Sequence, residues 1–253
     1  MILSNTVVLL AGAHAAERGA FAEALHAMGA AVVILDAEGA AAPTQGAGVT
    51  RLPWRGEDSD RLAQLLLAPH GRIDGAVVLP SEAPSVAFDA LDPAAFEACL
   101  AGNLDKAFHI TRALSPHFAA RGFGSFVYVV PAEGIVGDTG RAASTIVGLA
   151  EAGLSRAVAL DFAGTSVRAN CLAFVDGLQH VAAVAAFLLS DAASALTGQV
   201  VIAQGSDLHL VSQPRPLRIA HRDGGWDAQA LDHGIGRRWA GAFVPPETTR
   251  DIL

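Results

Sequence analysis

Metal binding, thiol chemistry and proton transfer each need particular side chains at particular spacings, and this chain supplies few of them. Cys99 and Cys171 both sit inside apolar segments and form no metal or redox spacing. His221, Asp232 and His233 are too scattered through the C-terminal stretch for a metal site, so no metal is expected. The one tyrosine, Tyr128, lies in "SFVYVV" (125–130) and reads as a core residue of a strand.

The elements that would carry these residues follow a strict order. Runs that are apolar throughout occur at 6–12, 30–36, 74–79, 125–130, 167–174 and 198–203, with helical patterns between them. Strands of that kind suit a parallel sheet covered on both faces, and the alternation predicts an α/β fold with a doubly wound parallel sheet. Asp92 and Pro93 form a helix start, and Gly29, Gly122 and Gly164 stand where helices should stop.

Composition sets the outer limits. The 253 residues are 52% hydrophobic, enough for a full core, and the chain is expected to fold as one domain, 1–206, with an arm, 207–253. With 25 acidic against 17 basic residues the net charge is −8, which argues against a nucleic-acid surface. No positive residue precedes Arg18, so the apolar start reads as a buried strand rather than a secretion signal, and no apolar run reaches a membrane span. The expectation is a cytoplasmic, reduced protein.

The segments "GRIDGAVV", "AGNLDKAFHITRALSPHF", "GSFVYVV", "GLSRAVALDFAGTSVRANCLAF" and "VAAFLLSDAASALTGQVV" resemble, in order and spacing, the short-chain dehydrogenase/reductase family over residues 5–206. The resemblance implies a Rossmann-like fold and a nicotinamide cofactor held at a Thr-Gly-x-x-x-Gly-x-Gly turn. Here that turn reads Ala11 to Arg18, and only Gly12 remains. Arg18 stands where the cofactor should lie and Glu17 brings negative charge beside it, while Arg18 reads either as a phosphate contact or as a solvated or interface arginine. Asp36, at the end of the second strand, would hold the ribose hydroxyls of NAD, or else is ordinary turn chemistry. "VLPS" (78–81) replaces the turn on the adenine side, and Pro80 there removes a backbone donor. Gly12 and Asp36 are thus vestigial, and no cofactor is expected on this chain.

The family's proton relay uses a Tyr, a Lys four residues later, a Ser and an Asn. By resemblance these positions are Ser144, Gly148, Pro131 and Asn103, so only Asn103 is retained, and it reads as a satisfied helix-kink residue or as a remnant of the site. The mobile lid that normally follows "RANCLAF" is also missing, since "FVDGLQHVAAVAAFLL" resumes the next helix at once. The family's association surfaces, here 94–121, 142–163 and 181–203, remain. The arm carries Trp226, Trp239 and Phe243 and would dock on a neighbouring subunit or fold over its own cleft.

The expectation is a pseudoenzyme, the inactive subunit of an NAD-dependent dehydrogenase of hydroxyacyl-CoA type, paired with an active paralogue that binds NAD, as an α2β2 tetramer. A ligand-sensing protein on the same fold and an oxidoreductase with displaced catalytic groups are the other readings.

Overall fold

The computed structural model describes residues 1–36, 45–46, 48–54, 58–231, 237 and 239–253. Strands β1 (Thr6–Ala11), β2 (Ala30–Asp36), β3 (Gln45–Gly46), β4 (Val49–Pro53), β5 (Gly75–Val78), β6 (Phe123–Pro131), β7 (Ser166–Phe174), β8 (Val200–Gln204) and β9 (Asp207–Leu210) form one sheet in the order β3-β4-β2-β1-β5-β6-β7-β8-β9. The pairings from β4 to β8 are parallel, and β3 and β9 close the two edges antiparallel. The six expected strands are present. The sequence reading missed β4, whose residues are alternately buried and which contains Arg51, and the short edge strands β3 and β9. Because β9 pairs with β8, the sheet continues past residue 206.

The period-2 alternation of a strand builds the two helical layers. Val8, Leu10, Val32 and Ile34 point to one face, where helices α1 (Ala15–Ala27) and α7 (Ala182–Leu189) bring Phe21, Leu25 and Ala185. Val7, Leu9, Val33 and Leu35 point to the other, which is covered by α2 (Ser59–Leu67), α4 (Lys106–Arg121) and part of α6 (Ala142–Asp161). Phe118 and Phe126 meet there with ring centroids 4.8 Å apart. Each fully buried side chain of this size contributes roughly 1.5–3 kcal/mol.

Local chemistry ends the helices where expected. Asp58 Oδ1 accepts from the amides of Asp60 and Arg61 at the start of α2, and Asp92 Oδ2 accepts from Ala95 at the start of α3 (Pro93–Leu100). Gly122 ends α4 at φ +74°, a conformation glycine adopts without a Cβ penalty. The helical run expected over 94–121 is divided by a π-helical turn at Ala101–Asp105. A short helix, α5 (Glu133–Val136), lies between β6 and α6 and was not anticipated. After β7 only Val175–Gly177 precede a single turn and then α7, so the connection has no room for a helical lid.

One expectation needs correcting. Among the described residues the 20-residue α6 does meet the length and apolar content of a membrane span, with mean hydropathy 1.2 over an 18-residue window. It lies against β6 and β7, with Val158 in the core on that face of the sheet and Ala143 and Val147 packed beside Cys99 of α3, so its buried apolar residues serve the protein's own packing. Ile146, Leu149 and Leu160 stand exposed on the same helix.

Candidate functional site

The sheet's strand order reverses between β1 and β5, the place where an open α/β sheet forms a crevice at the carboxyl ends of its strands. β1 leads through Gly12 (φ +92°) and Ala13 (φ +54°) into α1. A positive φ at alanine is uncommon. It is held by the Ala13 amide, which donates to the Pro80 carbonyl at 3.1 Å. A Cβ at position 12 would lie 2.7 Å from Lys106 Nζ and 2.8 Å from the Leu79 carbonyl carbon. Gly12 therefore admits a close approach by groups of this chain itself.

The cation that makes that approach is a residue the sequence reading passed over. Lys106 Nζ donates to the Leu79 carbonyl and to Ser81 Oγ, each at 3.0 Å, and Ser81 Oγ donates to the Gly102 carbonyl at 3.0 Å. Burial lowers the Lys106 ammonium to about 8, against the pull of Glu151 and with a further push from Arg18. Its position three residues after Asn103, on the buried side of α4, was the available signal.

Arg18 is not a solvated arginine, contrary to that reading of the sequence. Its side chain is 11% exposed and paired with Asp36, which is 6% exposed. Nη1 donates to the carbonyls of Gly12 at 3.1 Å and Ala13 at 3.0 Å, while Nη2 donates to Asp36 Oδ1. Arg51 Nη1 stands 3.4 Å from the other carboxylate oxygen. Both oxygens of the residue that would hold a ribose thus face guanidinium groups. Glu17 lies in the first turn of α1, where its charge answers the positive end of that helix.

On the other side of the crevice the four positions of the family's relay come together. Asn103 sits in the π turn, with Nδ2 donating to the Cys99 carbonyl at 2.8 Å and Oδ1 accepting from the Ser81 amide at 2.7 Å. It is fully satisfied as a helix-kink residue. Pro131 ends β6, and Ser144 is buried in the first turn of α6. Gly148 is in contact with α5: a Cβ there would lie 2.6 Å from Gly134 Cα and closer still to its carbonyl oxygen. Thr145 Oγ1 ties the two helices together by donating to the Glu133 carbonyl at 2.9 Å. Tyr128 is buried, with its hydroxyl 2.7 Å from Thr111 Oγ1, and burial raises its phenol out of reach of neutral-pH chemistry.

Pro131, Ser144, Gly148 and Asn103 line a cavity of about 830 Å³ that also reaches His14 and Glu17. Its floor holds Glu151, 2% exposed, on the same face of α6 as Ser144 and Gly148. Burial pushes this carboxyl up to about 8, opposed by Lys106. Cys99 also lines the cavity, and its thiol is raised by burial. No residue of the 207–253 arm lines the cavity among the described residues; the chain's last residue, Leu253, instead accepts from Gln204 at 3.0 Å and packs beside Ile202 and Ala173. Asp232 and His233 lie outside the described residues, and among those described no metal-binding group forms.

No protein-family profile matches the chain. It is 26% identical over 181 residues to D-beta-hydroxybutyrate dehydrogenase from Cupriavidus necator, covering 68% of this chain and 70% of that protein. It is 29% identical over 86 residues to nodulation protein G from Azospirillum brasilense, spanning only about a third of either protein, 34% and 35%. Among solved structures, a short chain dehydrogenase from Mycobacterium avium superposes with a TM-score of 0.83 at 18% identity over 98% of both chains. A structure described as a dehalogenation enzyme gives 0.70 at 19% identity over 81% of this chain and 99% of the other. The fold is that of the short-chain dehydrogenases, a Rossmann-like α/β domain.

Proposed function

We propose that this chain is a non-catalytic member of the short-chain dehydrogenase family, a pseudoenzyme subunit that binds no dinucleotide and stabilises or shapes an active, NAD-binding partner. The observation that carries the reading is the double closure of the crevice. Arg18 and Lys106 occupy the cofactor side with contacts to this chain's own carbonyls and to Asp36, and Gly134 of α5 occupies the space a lysine at position 148 would need. A dinucleotide does not fit these residues: the ribose-binding carboxylate is engaged, the glycine turn faces Lys106, and Glu17 meets the phosphate position. The relay positions Pro131, Ser144 and Gly148 supply no acid or base pair for hydride chemistry.

A partner is supported by the exposed apolar side chains Phe108 on α4 and Ile146, Leu149 and Leu160 on α6. An α2β2 tetramer with a paralogue that keeps its Ser, Tyr and Lys would cover them, and a cytoplasmic setting agrees with the two unpaired cysteines. The system the sequence resembles in particular is the 2-[hydroxy(phenyl)methyl]succinyl-CoA dehydrogenase of anaerobic toluene degradation, which pairs an inactive with an active subunit.

Native mass spectrometry of the protein purified gently from its source tests this reading. A mixed complex with a second short-chain dehydrogenase is the expected result. A homo-oligomer that binds NADH in fluorescence titration would overturn both the pairing and the closed crevice.

A further inference from the structure

We infer that the cavity at the carboxyl ends of β6 and β7 is a binding site for an organic ammonium ion with an apolar body, and that Glu151 is its counter-charge. The inference concerns what the cleft accepts, and it holds whether the chain acts alone or beside a catalytic partner.

The charge of the walls sets the sign of the ligand. Glu17, Glu82, Glu133 and Glu151 line the cavity, against only Arg141 and His14. Both are answered within the protein, Arg141 by Glu133 at 3.8 Å and His14 by Glu82 at 3.0 Å. Glu17 and Glu151 have no ion pair within 4 Å among the described residues. The amino end of α1, the natural place for a phosphate in this fold, is faced by Glu17. An anion entering the cavity would meet Glu17 and no basic side chain that is not already paired, among the described residues.

Glu151 is the independent observation that raises this above an acidic rim. It is 2% exposed, lines the cavity, and has no hydrogen-bond partner among the described residues. Its carboxyl oxygens are not sealed off by the protein but open on the cavity, so their hydrogen bonding is left to whatever enters there. Lys106, the cation that acts on it electrostatically, directs its ammonium to Leu79 and Ser81. Apolar side chains, Val130, Val147, Ala98 and Phe174 among them, share the rest of the wall with the polar Ser81, Asn103 and Ser144. A volume of about 830 Å³ lies within the ~300–1,000 Å³ span of small-molecule sites. An ammonium group on an apolar body matches both parts of this lining.

Binding of such a cation is coupled to a proton. Burial raises the unliganded Glu151 carboxyl to about 8, so at neutral pH it carries a proton that an arriving ammonium would displace. The titratable groups acting on or acted on by Glu151 from the packed elements are Lys106 on α4, Cys99 on α3, Tyr128 on β6 and Cys171 on β7. The thiols and the phenol are all raised and stay protonated near neutrality, which leaves Lys106 as the one other group in that set that exchanges a proton near pH 8.

The test uses three ligands with one body and different charge: 4-phenylbutylamine, 4-phenylbutan-1-ol and 4-phenylbutyrate. Titration calorimetry of the full chain at pH 7, in two buffers of different ionisation heat, reads affinity and proton release together. The amine should bind at least tenfold more tightly than the alcohol, the carboxylate should bind most weakly, and the amine alone should release about one proton per site. Glu151→Gln should lower the amine's affinity about tenfold, leave the alcohol's unchanged and abolish the proton release. Equal binding of amine and alcohol, tightest binding of the carboxylate, no binding of any of the three at millimolar concentration, or proton release that survives Glu151→Gln would each overturn the assignment. If that variant does not fold, the comparison of the three ligands on the unaltered chain still decides the matter.

Discussion

The contact between Gly134 and Gly148 can be tested by one methyl group. In Gly148→Ala the new Cβ would lie 2.6 Å from Gly134 Cα and nearer still to its carbonyl oxygen, so a backbone segment rather than a flexible side chain must give way. Overpacking of this kind costs about 1–3 kcal/mol, and a clash with backbone belongs at the upper end. The same substitution gains about 1 kcal/mol in helix propensity, since glycine is a poor interior helix residue. The net expectation is a loss of about 2 kcal/mol, or about 4–8 °C in Tm at the ~2–4 °C per kcal/mol typical of a chain this size.

Gly153 supplies the internal control. It lies on the same helix, is exposed, and has nothing within 4 Å of its would-be Cβ. Gly153→Ala should therefore raise Tm by about 2–4 °C, from the propensity gain alone. Thermal unfolding of both variants followed by circular dichroism gives two shifts of opposite sign. If Gly148→Ala is as stable as Gly153→Ala, α5 is not seated against α6, and the claim that position 148 has no space for a lysine fails. The same geometry bears on activity. Ser144→Tyr combined with Gly148→Lys should show no NAD-dependent oxidation, because Arg18 and Lys106 still fill the cofactor side.

Three further outcomes follow from the charged groups. Arg18→Ala leaves Asp36 buried with only Arg51 nearby and should cost roughly 3 kcal/mol, the low end for breaking a buried pair, read as a Tm lowered by about 6–12 °C, with NADH fluorescence titration still showing no binding. At the opposite end of the sheet, burial raises the Asp74 carboxyl but hydrogen bonds from Arg72, the Val7 amide and Arg121 outweigh it, so its folded value lies below 3.8. A depressed acid adds stability above its unfolded value that is lost as the pH falls through the folded one, so Asp74→Asn should flatten the acid limb of a urea-denaturation pH series below about pH 4. Glu151 has the opposite sign: burial raises it to about 8 from 4.5, the folded state keeps a proton the unfolded chain has lost, and stability should fall from pH 4.5 to 8, a slope that Glu151→Gln removes in the same series.

The sheet was legible because its central strands are apolar on both faces, and a parallel sheet covered by helices on each side buries such runs. β4 escaped because Arg51 and its half-buried alternation read as loop, and Arg51 stands there to face Asp36. α5 escaped because four residues between Ala132 and Gly137 carry too little periodicity to register. Arg18 was located but misread, since Asp36 lies 18 positions away and only the β1–β2 pairing brings the two side chains together. Lys106 and Glu151 were passed over because a charged helical residue is usually solvated. Yet Glu151 follows Ser144 by seven residues and Gly148 by three, which puts it on the face already assigned to the site.

On the proposed reading, the residues that replaced the family's chemistry have become structural, and this decides how reversible the loss is. A missing tyrosine alone would leave a site one substitution from activity. Here Gly12 accommodates Lys106, Asp36 is engaged by Arg18, and Gly148 accommodates Gly134, so the cofactor turn and the relay helix are both filled by the chain's own contacts, and a lysine at position 148 would break the last of them. The cavity differs from these closed regions, because its acidic and apolar walls remain open at about 830 Å³ with a buried carboxyl at the floor. On the proposed reading of the cavity, Glu151 is held there as a neutral acid, its carboxyl raised to about 8 by burial, and it ionises when an ammonium enters.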